Sequence, residues 1–381
     1  MEPHTFTYQR PELAASLCDS LQGIGIADAR SGLFLAAPRR TGKSTFLRMD
    51  LLPALQKKGW TTVYVDLWTN KATDPAVLIS NQVKNVLAKF AGVIAKLAKS
   101  AGLEKVNVFG ALSLNLSSLS LPDNVTLADA LEALALASKT PVVVVIDEAQ
   151  QALSTPAGMD AMFALKAARD RINQDGENQK LFLVFTGSNQ DKLSHLVIKK
   201  NQPFYGCRIA KFPLLDRKFS DQYTAHINAK LAPSNQFKAD DVFAAFKLVG
   251  HRPEMLRNVI ADVALDAGAD TLAAQLQTGA SSFRERIWGE MGSEFAALTA
   301  IQRAVLGRLI QEGKNYSPFT DASLKAYSAL AGKDVSVGDA QAALLALREK
   351  NLVWQAAYGD YSLEDESMVL WYQSRNALEA T

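Results

Sequence analysis

The stretch LFLAAPRRTGKSTFLRM, Leu33 to Met49, joins a short apolar run to a helical pattern through a turn that contains Gly-Lys-Ser. Its central residues, Ala37 to Ser44, have the pattern A-x-x-x-x-G-K-S. In such a turn between a strand and a helix, consecutive backbone N–H groups and the helix N-terminus form a concavity that binds anions. The stretch therefore predicts a phosphate-binding loop, against the alternative of a plain strand-to-helix turn.

The residue types of this loop match the chemistry of a nucleoside triphosphate. Lys43 would contact the β- and γ-phosphates, and the Ser44 hydroxyl would bind Mg²⁺. Ala37 replaces the more common glycine, which a small residue can do where its φ is negative. ATP and Mg²⁺ are the expected cofactors. The expected nucleotide contacts in the loop are Ala37, Pro38, Arg39, Arg40, Thr41, Gly42, Lys43, Ser44 and Thr45.

A second motif, VVVVIDEAQ from Val142 to Gln150, ends a run of buried aliphatic residues in two acids. Asp147, at the end of the predicted strand, is placed to hold Mg²⁺ directly or through water, and Glu148 to orient and deprotonate an attacking water. The alternative is that the two acids only begin a solvated loop. Together with the phosphate loop, they favour the catalytic interpretation.

The acidic pair also indicates the class of reaction. A carboxylate next to the magnesium-binding aspartate favours hydrolysis by water over phosphoryl transfer to a metabolite, so a small-molecule kinase is the less favoured interpretation. A strand and helix, from Thr61 to about Gly92, lie between the two motifs, as in ATPases that have an added strand between loop and acidic motif.

A third apolar run, LFLVFTGSN, ends in the small polar residues Thr186, Ser188 and Asn189. We expect this strand to neighbour both earlier ones, so that a polar side chain at its end reaches the γ-phosphate or the attacking water. Ser188 and Asn189 are the preferred candidates for this catalytic role. The alternative is that they only form a turn, which Ser and Asn favour at strand ends.

The order of patterns predicts an α/β fold of the P-loop NTPase type, with a doubly wound parallel sheet. Five apolar strand-like runs alternate with helical patterns up to Leu215, and the segments that follow are helical. Three helices and two aromatic-rich strands near the end predict a winged helix. The expected domains are a core at 1–215 with a surface insertion at about 103–124, a helical lid at 216–292 and a winged helix at 293–381. Within the insertion, Lys105 to Leu121 is expected to form a hairpin or a pair of short strands.

With these motifs in order, the chain resembles the archaeal-type ATPases, P-loop proteins grouped with the STAND and AAA+ ATPases and more distantly related to origin-recognition ATPases. The resemblance covers nearly the full length. FTYQRPEL resembles the entry motif of the family, with Phe6, Arg10, Glu12 and Leu13 at the matching positions. In the family this segment lies near the adenine, which implies that Arg10 contacts the nucleotide.

Two further segments match the family. PFYGCRIAKFPLL, from Pro203, resembles the segment before the last strand and implies that Arg208 approaches the γ-phosphate, in cis or across a subunit interface. A surface ion pair is the equal alternative for this arginine. LVGHRPEML resembles the helix start in the lid, where Gly250 and Pro253 would shape a turn under the adenine. One extra residue between them leaves open whether His251 or Arg252 senses phosphate.

The charge of the winged helix argues against a DNA-reading role. Its end resembles the closing segment of the family at Tyr361, Asp365, Trp371 and Tyr372. From Glu294 to Thr381, eight Lys and Arg oppose eleven Asp and Glu, a net charge of −3, whereas DNA affinity comes mostly from basic residues. We therefore favour a protein-contact or intramolecular role for this domain. The basic segment, Lys192 to Lys218, has seven Lys and Arg against one Asp, and would face the nucleotide of a neighbouring subunit, a nucleic acid or only solvent.

Overall composition narrows the remaining choices. Lys and Arg number 41 against 39 Asp and Glu, and the two cysteines, Cys18 and Cys207, form no zinc motif. No signal peptide or membrane span is expected, and the predicted location is cytoplasmic. The favoured output is a nucleotide-driven switch or remodeller of a protein partner or of itself. The alternatives are a DNA-associated ATPase and a nucleotide-binding scaffold with negligible turnover.

Overall fold

The computed structural model describes residues 6–24, 28–100, 108, 110–112, 122, 125–174, 180–266, 272–357 and 359–379. The chain divides into two compact units, each described below by itself. The core unit comprises residues 9–36 and 44–212, and the lid–wing unit comprises residues 1–8, 37–43 and 213–381.

The core unit is built on a parallel sheet of five described strands, in the order β2-β3-β4-β1-β5. β3 and β4 are buried along their whole length, which is why they consist almost entirely of Val, Leu, Ile and Phe. The five predicted strands are confirmed, and β4 neighbours both β1 and β3 as expected. The strands are β1 Leu33–Ala36, β2 Thr61–Asp66, β3 Val142–Asp147, β4 Leu181–Gly187 and β5 Ile209–Lys211.

Helices connect these strands and cover the sheet. Several begin at a side-chain cap: Asp74 accepts from the Ala76 N–H, and Thr155 accepts from the Gly158 N–H. A π-helical turn, Leu47–Leu51, follows α2, and a 3₁₀ helix, Ala149–Ser154, follows β3. The helices are α1 Pro11–Leu21, α2 Lys43–Phe46, α3 Leu52–Lys57, α4 Pro75–Ala88, α5 Ala91–Ser100, α6 Leu127–Ser138, α7 Pro156–Ile172 and α8 Gln190–Ser194.

The insertion predicted at about 103–124 lies mostly outside the described residues. The backbone is helical at Val108 and at 110–112, where the sequence predicted extended strands. Leu112 is buried in the core, and Val108 and Ala111 pack against the same cluster. Their i, i+3, i+4 spacing is that of one helix face, so at these residues burial overrides the alternation of apolar and polar residues.

The lid–wing unit is mostly helical and ends in a two-stranded wing. The predicted helical lid and winged helix are both present. The antiparallel wing strands pair from Val353 opposite Leu363 to Ala357 opposite Asp360. The elements are α9 Arg217–Asn228, α10 Ala239–Leu248, α11 Pro253–Asp266, α12 Leu272–Ala296, α13 Ala300–Glu312, α14 Asp321–Ala331, α15 Val337–Glu349, β6 Val353–Ala357, β7 Asp360–Leu363 and α16 Ser367–Glu379.

One helix crosses the border that the sequence predicted between lid and winged helix. α12 is continuous through residues 292 and 293. Leu276 and Ala280 belong to the apolar cluster of the lid, whereas Met291 and Phe295 belong to that of the winged helix. The two cores are therefore joined by one helix and not by a linker. Among the described residues, no helix has both the length and the apolar character that crossing a membrane requires.

Candidate functional site

The register of the sheet brings three strand ends together. Ala36 of β1 lies opposite Gly187 of β4, and Ile146 of β3 lies opposite Phe185 of β4. The carboxyl ends of β1, β4 and β3 therefore share one edge of the sheet. The chain continues from Ala36 directly into the predicted phosphate loop.

Asp147 ends β3 as a buried carboxylate with several hydrogen-bond donors around it. Its Oδ1 accepts from the Thr186 hydroxyl and, at 3.0 Å, from the Glu148 N–H, and its Oδ2 accepts from the Tyr64 hydroxyl at 3.3 Å. Burial, followed by the charge of Asp147, raises the pKa of Tyr64, which keeps this phenol protonated as a donor. The site thus contains an oriented carboxylate of the kind that binds Mg²⁺.

Glu148 has a backbone conformation that few residues other than glycine adopt, with φ 55° and ψ 43°. Its Oε2 accepts from the Ser188 hydroxyl at 2.6 Å, from the Ser188 N–H at 3.3 Å and from the Gln150 amide. Non-glycine residues in the left-handed region occur often at functional sites, where surrounding contacts hold them. Here the contacts come from the end of β4 and from the 3₁₀ helix.

The two other polar residues at the end of β4 have different contacts. Asn189 caps α8, because its Oδ1 accepts from the Lys192 N–H at 2.7 Å. Thr186, fully buried, donates to Asp147. Thr186 and Ser188 therefore contact the acidic pair. The hydrogen bond described for the Asn189 side chain is instead a helix cap.

Gln150 and Tyr64 are contacts of the acidic pair that the sequence analysis did not single out. Gln150 is only 4% exposed although it is polar, and its amide donates to Glu148. The signal available in the sequence was a glutamine two residues after the acidic pair, next to an otherwise apolar strand. Nothing in that pattern indicates which way the amide points.

The phosphate loop contacts the lid within the lid–wing unit. The Arg40 Nε lies 3.7 Å from the Glu254 carboxylate, and its Nη1 lies 4.0 Å from the Met255 sulfur. Arg40 and Gly42 have positive φ, 66° and 88°, and the Thr41 hydroxyl donates to the Pro38 carbonyl at 2.8 Å. Alternation of left- and right-handed residues turns successive N–H groups toward one side of a loop, as an anion site requires.

The other loop residues differ in exposure. Lys43, at the start of α2, is 5% exposed, and Ala37 is 1% exposed. Arg39 and Thr45 are exposed, and Ser44 is half-buried. The loop thus has a buried lysine at its helical end and exposed residues on either side.

His251 and Arg252, which the sequence left as alternatives for sensing phosphate, have different contacts in the lid turn. The His251 Nδ1 lies 2.7 Å from the Leu215 carbonyl oxygen, and its ring packs on Phe246. The Arg252 Nη2 donates to the Asp365 Oδ2 at 3.0 Å. Pro253 follows directly as the first residue of α11. Arg252 therefore joins the lid turn to the winged helix.

The entry segment contributes to both units. Phe6 packs on Phe219 and Tyr223 in the lid core. In the core unit, the Arg10 guanidinium lies 5.0 Å from the centre of the Phe212 ring, and the backbone N–H of Arg10 donates to the Asp50 carboxylate at 2.7 Å. Phe6 is therefore held within the lid–wing unit, and Arg10 is held within the core unit.

Arg208 and the basic segment lie at the surface of the core unit. Arg208 is exposed immediately before the edge strand β5, and Lys192, Lys199, Lys200 and Lys211 are also exposed. Asp191, the nearest acid in sequence, is buried. Arg217 and Lys218, the last two basic residues of the segment, lie in the lid–wing unit.

The residues present fit magnesium held jointly with a nucleotide. No group of three or more His, Cys, Asp or Glu suited to a metal occurs within the described ranges. Mg²⁺ commonly uses one or two protein carboxylates together with substrate phosphates and water, so a single buried Asp147 with the Ser44 hydroxyl is a sufficient donor set.

Comparisons with solved structures show the fold. The chain matches the Walker-type ATPase of Pyrococcus abyssi with a TM-score of 0.52 and 18% identity over 96% of each chain. It matches the ORC2 protein of Aeropyrum pernix, in its ADP form, with a TM-score of 0.53 and 14% identity over 98% of this chain and 96% of that one. The predicted P-loop fold with lid and winged helix is thereby confirmed. No family model and no curated protein sequence matches the chain.

Proposed function

We propose that this protein is a magnesium-dependent ATPase that converts ATP and water to ADP and phosphate. The observation that carries the proposal is the acidic pair Asp147 and Glu148, which accepts hydrogen bonds from residues at the end of β4. At the same edge of the sheet, β1 leads into the phosphate loop. A loop of this sequence binds phosphates, and a carboxylate after the magnesium aspartate serves hydrolysis.

Each motif residue has a role in the proposed reaction. Lys43 neutralises phosphate charge, Ser44 and Asp147 hold Mg²⁺, and Glu148 accepts the proton of the water that attacks the γ-phosphate. Bound Mg²⁺ would polarise the phosphate oxygens. Ala37 to Thr45, Arg10 and Pro253 are the proposed nucleotide contacts, and Arg208, Ser188 and Asn189 are proposed to assist catalysis. The similar solved structures support an ATPase in general, since one is named an ATPase and the other is an ADP form.

Nucleotide binding tests the site assignment. Lys43→Ala should weaken ATP binding at least roughly 10-fold, because this lysine is proposed to contact the β- and γ-phosphates. Lys57→Ala is the matched control, since Lys57 is exposed at the end of α3. Titration with a fluorescent ATP analogue measures both variants. Equal affinity in Lys43→Ala and the control would show that the phosphate site is elsewhere.

The proposed biological role is a nucleotide-driven switch that acts on a protein partner. Two contacts of the lid turn support it, because Arg40 of the phosphate loop contacts Glu254 while Arg252 binds Asp365 of the winged helix. Glu148→Gln should bind ATP without turning it over and so trap the partner-bound state. Affinity purification of this variant with ATP, compared with ADP, should enrich a protein; enrichment of nucleic acid alone would contradict the switch.

The exposed basic segment favours one second candidate, a DNA-associated ATPase. Phosphate contacts by Lys and Arg make DNA binding fall steeply with salt. Duplex binding that is lost in Lys199→Gln with Lys200→Gln, together with DNA-stimulated ATP hydrolysis, would support this candidate over the switch. The net charge of the winged helix makes that domain the less suitable DNA contact.

A further inference from the structure

We propose that Gln150 is a positioning residue that orients Glu148 for catalysis, with Gly187 providing the space that Gln150 needs. This inference rests on the proposed ATPase function and assigns a role to two residues that were not among the predicted site residues. Gln150 lies in the 3₁₀ helix after β3, and Gly187 is the last residue of β4.

The contacts of Gln150 converge on one oxygen of Glu148. The Gln150 Nε2 donates to the Glu148 Oε2 at 2.5 Å and lies 3.4 Å from the Ser188 hydroxyl oxygen. The Ser188 hydroxyl and N–H donate to the same Oε2. A carboxylate with several donors on one oxygen has a fixed orientation, which is what a general base requires to meet its water.

The direction of the Gln150 amide follows from these contacts. Rotation of the amide by half a turn would place its oxygen against the carboxylate, where two acceptors repel. In the observed direction, the Gln150 Oε1 is buried without a hydrogen-bond partner. A buried, unpaired acceptor is unfavourable, so its presence indicates that the bond to Glu148 determines the orientation.

Gly187 is necessary for this arrangement because of space. A Cβ added to Gly187 would lie 2.6 Å from the Gln150 Oε1 and 3.3 Å from a Leu193 methyl carbon. The first distance is shorter than van der Waals contact allows, so any side chain at residue 187 displaces the amide. The backbone of Gly187 does not have positive φ, so an alanine there meets no conformational penalty of its own.

The experiment compares ATP hydrolysis in three variants and a control. Gln150→Ala removes the donor, Gln150→Glu keeps the shape but presents a carboxylate, and Gly187→Ala displaces the amide. Each should lower kcat roughly 10- to 100-fold with KM for ATP within about twofold. Gln151→Ala, a neighbouring half-buried residue, is the control and should retain full activity.

A further readout separates positioning from a structural effect. The double variant Gln150→Ala with Gly187→Ala should be no slower than Gln150→Ala alone, because no amide oxygen remains to be displaced.

The results that would contradict the role of Gln150 differ from those that would contradict the proposed ATPase function. Unchanged kcat in Gln150→Ala and Gln150→Glu, or additive losses in the double variant, would overturn the role of Gln150 alone. A folded wild-type protein that does not hydrolyse ATP would overturn the proposed function, and this inference with it.

Discussion

At the residue scale, Asp147 and Glu148 are held by different neighbours although they are adjacent in sequence. Thr186 and Tyr64 donate to Asp147, whereas Ser188 and Gln150 donate to Glu148. The left-handed backbone of Glu148 turns the two carboxylates into these separate environments. This local geometry supports the proposed separation of roles, with one carboxylate for the metal and one for the water.

The Thr186 hydroxyl provides a test of the metal role of Asp147. Thr186→Val keeps the shape of the side chain but removes the donor, so the buried carboxylate loses a hydrogen bond worth about 1–3 kcal/mol. Because groups that orient metal ligands commonly affect affinity, the Mg²⁺ concentration for half-maximal ATPase activity should rise roughly 10-fold. Magnesium titrations of Thr186→Val and of Thr73→Val, a half-buried control, measure this; equal half-saturation would contradict the role.

At the element scale, the start of α11 is joined to the phosphate loop on one side and to the winged helix on the other. Arg40 contacts Glu254, and Arg252 binds Asp365. Asp365 also accepts from the Ser367 N–H and hydroxyl and so begins α16. The ion pair and the helix start therefore share one carboxylate.

Asp365→Asn separates these two functions of the residue. Asparagine still accepts from Ser367, but the ion pair with the partly exposed Arg252 loses its charge, at a cost of about 0.5–1 kcal/mol. Hydrogen exchange should become faster in the wing and α16 while the lid core is unchanged. Asp360→Asn, at the exposed end of the wing, is the control. Identical exchange in both variants would show that the ion pair does not restrain the winged helix.

The carboxyl group of Glu294 should make the stability of the protein depend on pH. Partial desolvation of this exposed side chain, followed by the charges of Glu290 and Asp365, raises the pKa of Glu294 on α12. A carboxyl group whose folded pKa is raised adds stability below its unfolded pKa and loses that contribution as pH rises through the folded pKa. Glu294→Gln should therefore raise Tm at pH 7 and leave it unchanged near pH 4. A lower Tm at pH 7 would contradict this account.

The sequence predicts those elements that are determined by interactions between residues close to each other in the chain. Near-continuous Val and Leu runs predict β3 and β4, and capping residues mark helix starts, because burial and caps act within a few residues. The helical backbone at Val108 and the continuity of α12 depend on packing partners far away in sequence. The contacts of Gln150 and Arg252 depend on side-chain rotamers, which no sequence pattern specifies.

At the scale of the whole molecule, the nearly balanced net charge of +2 conceals an uneven distribution. The basic residues from Lys192 to Lys211 are exposed on the core unit, whereas the winged-helix segment carries a net charge of −3. Asp339, near the start of α15, forms a capping box with Ser336, whose hydrogen bonds lower the pKa of this carboxyl group. An ionised acid at this position opposes approach to DNA phosphates, which supports a protein-directed output.

We propose above all that the chain hydrolyses ATP by means of Glu148. The most direct measurement is phosphate release from Mg²⁺-ATP by wild type and Glu148→Gln, with ATP affinity measured on the same samples. We predict turnover by the wild type and a loss of at least roughly 100-fold in Glu148→Gln, with ATP affinity retained. Glutamine meets the same backbone cost at φ 55°, so the comparison isolates the carboxylate. Equal rates, or wild-type protein that binds ATP without turnover, would contradict the account.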